Sequence, residues 1–392
     1  MSSFVIPEIE SWKDEMIAVR RHLHAHPELS LEEFETSQLV AEHLKGYGYQ
    51  VTQAIGKTGV VGTLTKGSGG KSIGLRADMD ALPIDETTGL GWASKHSGKM
   101  HACGHDGHTT ILLAAARYIA SEACQFNGTV HLIFQPAEEA FGGADLMIKE
   151  GLFDRFPCDC VFALHNMPGM PTGKLGFYSG NFMASADTVK ITIKGYGGHG
   201  AHPDRTVDPV VTAAALIMSL QTIVSRNVTP GETAIVTVGT IHAGIASNVI
   251  PESAVMELTV RAMKPEVREL LIRRIRETAE LTAQSYGAQS ETEVYDSYPV
   301  LINTDEQTAF ARNLAVQCFG EAAVVNDVTP TTGSEDFAFM LQQKPGSYFL
   351  LGNGMPGETG GCMVHNPEYD FNDAIIAPDA SFFVRLVEAY CR

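Results

Sequence analysis

The sequence predicts an α/β protein, a mostly parallel sheet covered by helices, with a smaller α+β domain inserted. Three observations predict it. Short apolar runs alternate with helical stretches over the first 185 residues, which reads as a parallel sheet with covering helices. Near residue 186 the pattern changes to a β-α-β-β-α-β order, the signature of a ferredoxin-like split unit. Helices and strands then resume from about residue 298 to the end of the 392-residue chain.

In order, residues 8–47 carry helical periodicity, broken around Pro27 and restarted near Leu31. VVGTL (60–64) and SIGLRAD (72–78) read as strands. A helix is expected from about His108 to Ser121, then the strand TVHLIF (129–134), a short helix from Ala140 and the strand CVFALH (160–165). DTVKITIKG, from Asp187, alternates as a two-faced strand should. A helix over about Asp208–Arg226, the strands AIVTVGTIHA and SAVMELTVRA (253–262), a helix over about Glu266–Tyr286 and the strand ETEVYDSYP complete the insertion. The expected domains are therefore 1–185 with 298–392, and 186–297.

The formal net charge is −18, from 46 acidic residues against 28 Lys and Arg. That balance argues against a nucleic-acid surface, which needs a basic patch. The N-terminus lacks the apolar core of a secretory signal. No uninterrupted apolar run approaches the ~18 residues of a membrane span. Seven cysteines without a repeating framework read as reduced thiols in a cytoplasmic protein.

Four segments carry chemistry. MHACGHDGHT (100–109) packs Cys103, His105, Asp106 and His108 into six positions. Cys103 and His105, two apart in an extended or turning segment, can aim at one ion, and thiolate with imidazole suits zinc and similar borderline metals. A glycine-containing loop with solvated histidines is the competing reading, and the density of donors weighs against it. QPAEEA (135–140) follows a strand, and ligand sites in open α/β sheets lie at the carboxyl ends of strands. Adjacent Glu138 and Glu139 repel unless positive charge lies beside them. A metal would hold one and leave the other to handle a proton, as in metal-assisted hydrolysis. An acidic helix N-terminus would explain the pair as well. His165 in ALHNMPG follows another strand, and His365 in MVHNPEYDF sits in a Gly- and Pro-flanked loop. Singly, each reads as a surface histidine; together the segments offer one centre Cys, His, Glu, His and His.

RADMDALP (76–83), MHACGHDGHT, QPAEE, LHNMP (164–168), GGHGAHP (197–203), SNVIP (247–251), TGSEDF (332–337) and VHNPEYDF (364–371) stand in this order. The chain thereby resembles, over nearly its whole length, the co-catalytic metallopeptidase family of N-acyl-amino-acid amidohydrolases. That family includes hippurate hydrolase, N-acetyldiaminopimelate deacetylase, auxin-conjugate hydrolases and carboxypeptidase G. The MHACGHD loop is most similar to the hippurate hydrolase and auxin-conjugate branch.

The resemblance implies two divalent metal ions (Mn, Zn, Co or Ni) on Cys103, His105, Glu139, His165 and His365, with Cys103 bridging. It implies Glu138 as general base and an N-acyl amino acid as the small-molecule substrate. Arg76 stands where the wider family has a metal-ligating histidine, so Asp78 is expected to orient a ligand, as is Asp106. The insertion becomes a lid and dimerisation domain that pairs two copies into a homodimer. His199 matches a lid histidine that donates to the oxyanion in the partner's site, and Asn248 and Arg261 match positions gripping a substrate carboxylate. His202 and Arg261 equally suit an ordinary loop residue and an ordinary strand charge. Three other functions compete: a carboxypeptidase or dipeptidase on the same scaffold, a cysteine hydrolase using Cys103, and a non-catalytic metal-dependent binding protein.

Overall fold

The computed structural model describes residues 5–392, the side chains of Asp296 and Ser297 aside. The chain forms two compact units. The first comprises residues up to Gly180, Ile302–Thr329 and Asp336–Arg392; the second comprises Asn181–Leu301 and Pro330–Glu335. Pro330–Glu335 joins the second unit through bonds such as Ala184 N–H to Thr331 O at 3.2 Å and to Gly333 O at 2.9 Å.

The first unit is built on an eight-stranded sheet. Its order is Gln50–Ile55, Gly59–Lys66, Gly128–Gln135, Lys71–Asp78, Cys160–Pro168, Gly346–Gly354, Leu175–Gly176 and Val324–Val325. The central pairs, from Gly128–Gln135 across to Gly346–Gly354, are parallel. Gln50–Ile55 and Gly59–Lys66 add an antiparallel edge. Strands covered on both faces read as continuous apolar runs rather than alternating ones. Gly346–Gly354 is buried at every position.

The helix His105–Ala120 begins three residues earlier than expected, and it is buried almost throughout. It packs against Ile376–Tyr390 and Lys13–Ala25. The short helix expected from Ala140 begins at Gly143 instead. Phe141 (φ 68°) and Gly142 (φ 65°) both hold left-handed backbone, which cannot continue into a right-handed helix.

The second unit is a four-stranded antiparallel sheet with two helices. Its order is Ala234–Ala243, Ser253–Ala262, Ser185–Lys194 and Gln289–Tyr298, the ferredoxin-like arrangement. Ala254, Met256, Leu258, Val260 and Ala262 are buried and alternate with more exposed residues, so the period of two turns one face of their strand inward. Val267, Leu271, Ile275, Ala279 and Ala283, four apart, are the buried stripe of the helix Pro265–Ser285. Asp208 caps Pro209–Asn227 by accepting from the Val210 and Val211 amides at 2.8 and 3.3 Å. This helix is long and apolar enough by composition to cross a membrane. Its Ala213, Leu216, Leu220 and Ile223 lie in the core of this unit.

Candidate metal centre and active site

The strand Lys71–Asp78 delivers Arg76 and Asp78 to its carboxyl end, and Asp80 follows directly. Gly128–Gln135 runs parallel beside it and delivers Glu138 and Glu139 in the turn beyond. Cys160–Pro168, on the other side, carries His165 near its end. These are neighbouring carboxyl ends of one parallel sheet, where side chains from separate segments converge.

Cys103 sits before the helix His105–Ala120, at a turn through Gly104 (φ 96°). A Cβ on Gly104 would stand 2.2 Å from Asn166 Nδ2 and 2.6 Å from Tyr369 Oη, so only glycine fits there. Asn166 Nδ2 donates to Cys103 O at 2.6 Å, and the Tyr369 hydroxyl donates to Asn166 Oδ1 at 2.7 Å. His365 also has left-handed backbone (φ 64°). Its N–H donates to Ala102 O at 2.7 Å, which binds the His365 loop to the Cys103 loop.

All five expected metal donors converge, from sequence positions 262 residues apart. Cys103 Sγ lies 3.4 Å from His165 Nε2. Glu139 Oε1 lies 3.2 Å from His365 Nε2 and 3.9 Å from His105 Nε2. Two three-donor sets, Cys103–His105–His165 and Cys103–Glu139–His365, each bring their ligand atoms within 4.8 Å, and Cys103 belongs to both. Glu138 forms a further such group with His105 and Glu139.

Hydrogen bonding selects which ring nitrogens face the centre. His165 Nδ1 meets Asn166 O at 2.6 Å, so that nitrogen carries the proton and Nε2 has the lone pair. Burial, with His108 and His105 close by, holds His165 well below the usual imidazole range, in the neutral form that ligates. His105 Nδ1 meets Asp80 Oδ1 at 3.2 Å, while its Nε2 is buried without a hydrogen-bond partner.

The donor set fits a cation. Burial opposes charging His105, but Asp78, Asp80 and Glu139 around it prevail and push it up to about 10. Burial, then Glu139, Glu138 and Asp78, push the Cys103 thiol well above its ordinary value. A buried cluster so rich in carboxylates calls for positive charge, and the buried Nε2 of His105, without a hydrogen-bond partner, would become a ligand atom on giving up its proton to a cation there.

Other residues take parts that differ from expectation. His108 is spent within the protein: Nδ1 lies 2.6 Å from Asp78 Oδ1, and Nε2 accepts the Asn166 amide at 3.0 Å. Asp78 therefore orients His108, and it also accepts from Arg76 Nη1 at 2.6 Å. Arg76, fully buried, further donates to Gln135 Oε1 at 2.8 Å and Asp336 Oδ1 at 3.2 Å. Asp106 does not orient a donor of the centre. It turns away to His24 Nδ1 at 2.8 Å and Arg20 Nη1 at 3.5 Å, because its place on the helix faces Lys13–Ala25.

The residue that does orient His105 is Asp80, within RADMDALP but not singled out by sequence. Its two oxygens also accept the backbone N–H groups of Glu138 (3.1 Å) and Glu139 (3.0 Å). Glu33 accepts the Ala137 amide at 2.8 Å and the Thr58 hydroxyl at 2.5 Å. Ala137 is left-handed (φ 54°), so buried carboxylates pin three successive amides of the QPAEE turn. Only the aspartate repeat in R-A-D-M-D hinted at Asp80, and nothing local hinted at Glu33.

His199, Asn248 and Arg261 belong to the second unit and lie in none of the donor groups above. Gly198–His199 pairs antiparallel with Val249–Ile250, and Gly200 N–H donates to Asn248 O at 2.8 Å, so His199 and Asn248 lie in one two-stranded ribbon. Both are exposed. His199 Nδ1 accepts the Ala201 amide at 3.0 Å. Arg261, on Ser253–Ala262, donates to Val260 O at 3.2 Å and Thr259 Oγ1 at 3.4 Å.

Comparison with known proteins agrees with this geometry. The chain is 44% identical over 388 residues to hippurate hydrolase of Campylobacter jejuni, covering 99% of this chain and 100% of that one. It is 40% identical over 376 residues to N-acetyl-L-cysteine deacetylase of Bacillus subtilis, covering 96% and 88%. A solved Bacillus subtilis structure, described as a dinuclear metal-binding peptidase, superposes with a TM-score of 0.83 at 32% identity, covering 97% and 99%. The model of peptidase family M20/M25/M40 matches residues 74–389. The chain belongs to that family.

Proposed function

We propose that the protein is a metal-dependent amidohydrolase that cleaves the amide between an acyl group and the nitrogen of an amino acid. The observation that carries this reading is the pair of three-donor sets sharing Cys103. Cys103, His105 and His165 would hold one divalent cation; Cys103, Glu139 and His365 would hold the other. Manganese, zinc, cobalt and nickel all suit this mixture of sulfur, imidazole and carboxylate. When bound, such cations supply Lewis-acid polarisation and positive charge at the reacting carbonyl.

Glu138 is the general base. Its carboxylate takes a proton from the attacking water and returns it to the nitrogen of the leaving amine as the C–N bond breaks. The Asp80 and Glu33 carboxylates hold the turn that carries it. Asp80 also holds His105 in the tautomer that leaves Nε2 for a metal.

The second unit acts as a lid and dimerisation domain. Because His199 Nδ1 accepts a backbone amide, its proton lies on Nε2, which can donate to the oxyanion in the site of a second copy. Asn248 and Arg261 grip the substrate carboxylate, for which a guanidinium is well shaped. The strand Ala234–Ala243 forms one end of its sheet, and Ile241 on it and Met218 on the neighbouring helix are exposed. Such an edge with apolar neighbours favours pairing with a twin. All seven cysteines are free thiols, which supports work in a reducing cytoplasm.

A thiol held protonated by burial and neighbouring carboxylates is a poor nucleophile, which disfavours cysteine catalysis at Cys103. Carboxypeptidase action would use the same centre. The deciding experiment is a panel of N-acyl amino acids and dipeptides, assayed with EDTA and then with each cation restored. The expected outcome is chelator-sensitive hydrolysis of N-acyl amino acids. Hydrolysis indifferent to chelator, or confined to peptides, would overturn the reading.

A further inference from the structure

Asn166 lies on the strand Cys160–Pro168, directly after His165, and is fully buried. Its carbonyl oxygen meets His165 Nδ1 at 2.6 Å, and the other ring nitrogen, Nε2, faces Cys103 Sγ at 3.4 Å. Its side-chain Nδ2 donates to Cys103 O at 2.6 Å. One residue therefore holds His165 through its backbone and the Cys103 loop through its side chain. Cys103 and His165 stand 62 residues apart in the chain, yet they belong to one three-donor set.

Asn166 is itself held in place. Its backbone N and its Nδ2 lie 3.0 and 3.1 Å from His108 Nε2. That nitrogen accepts because Nδ1–H of the same ring donates to Asp78 Oδ1 at 2.6 Å, and Arg76 in turn donates to Asp78. The Tyr369 hydroxyl donates to Asn166 Oδ1 at 2.7 Å. The two ends of an amide have the same shape, so its partners decide which way it points. Turned over, the Asn166 amide would set Oδ1 against Cys103 O and His108 Nε2, acceptor against acceptor. The space beside it is also closed, since a Cβ on Gly104 would meet both Asn166 Nδ2 and Tyr369 Oη.

We propose that Asn166 is a positioning residue for the metal centre: its amide, oriented by Tyr369 and His108, sets the place of Cys103, while its carbonyl fixes the tautomer of His165. The inference rests on the two-cation reading and adds to it residues that touch neither ion. Cys103 belongs to both donor sets, so a shift of its loop is felt at both ions. Partners that hold ligands in this way commonly govern metal affinity.

The test reads the metal rather than turnover. Wild type and variants are stripped with chelator and titrated with Co²⁺, following bound cobalt and the near-ultraviolet absorption of a thiolate–cobalt bond. Asn166→Leu removes the side-chain bonds to Cys103, His108 and Tyr369 and keeps the backbone bonds to His108 and His165. Cobalt affinity should fall about 10–100-fold, and the thiolate absorption per bound ion should fall with it. Tyr369→Phe deletes one oxygen, keeps the ring, and serves if Asn166→Leu does not fold. It should weaken cobalt binding about tenfold. A purely structural role would lower Tm but leave the affinity and spectrum of the folded variants as in the wild type, and that result would overturn the assignment. A wild type that binds no cobalt, or binds it without thiolate absorption, would instead overturn the metal centre itself, so the two failures are distinct.

Discussion

Asp80 and His105 are bound Oδ1 to Nδ1 at 3.2 Å, and the same carboxylate accepts the amides of Glu138 and Glu139. One buried side chain thus orients His105 and the turn carrying Glu138 and Glu139. Asp80→Asn removes half of that accepting capacity. It should lower metal affinity by about 10–100-fold and reduce turnover even at saturating metal. Metal titration followed by inductively coupled plasma analysis reads the first effect and kcat the second. Wild-type affinity in the variant would show that His105 is held by other contacts.

Glu138→Gln keeps the shape of the side chain and removes the base. We expect kcat to fall by about 10²–10⁴ with metal content intact. Cys103→Ser should show the reverse emphasis, loss of bound metal at both positions, because Cys103 belongs to both donor sets. Retained activity in the first variant, or full metal occupancy in the second, would contradict the roles given to these residues.

A cross-complementation experiment tests the role of His199. Glu138→Gln and His199→Ala should each be nearly inactive alone. If His199 serves the partner's site, subunit exchange creates heterodimers with one intact site, and an equal mixture should recover about a quarter of wild-type activity. No recovery despite confirmed exchange would mean that His199 acts within its own chain or not at all. Met218→Glu, on the exposed apolar face, should shift the species seen by light scattering from dimer to monomer. A wild type that is monomeric at micromolar concentration would remove the dimer.

The His24–Asp106 pair predicts a pH dependence of stability. Burial opposes charging His24, yet the bond and charge of Asp106, with help from Glu86, raise it to about 9. Its unfolded value is near 6.5. A group raised in the folded state stabilises fully below the unfolded value and loses that contribution as pH climbs through the folded one. Apparent Tm should therefore fall by several degrees between pH 6.5 and 9. His24→Gln should flatten that slope, whatever its effect on Tm itself. An unchanged slope would assign the dependence to other groups.

Local pattern accounts for much of this protein. Alternation in SAVMELTVRA and four-residue spacing from Val267 to Ala283 fix the faces of a strand and a helix, because burial follows the period of the backbone. Donor density in MHACGHD and carboxylates after an apolar strand were enough to mark segments whose side chains the fold brings together. What sequence could not reveal were relations across long separations. Asp80 lies 25 residues from His105, and Glu33 lies 104 residues from Ala137. The assignments of Asp78 to His108 and of Asp106 to His24 were equally hidden. Neighbouring carboxylates look alike along a chain, and only the packing of parallel strand ends against the His105–Ala120 helix decides which nitrogen each one reaches.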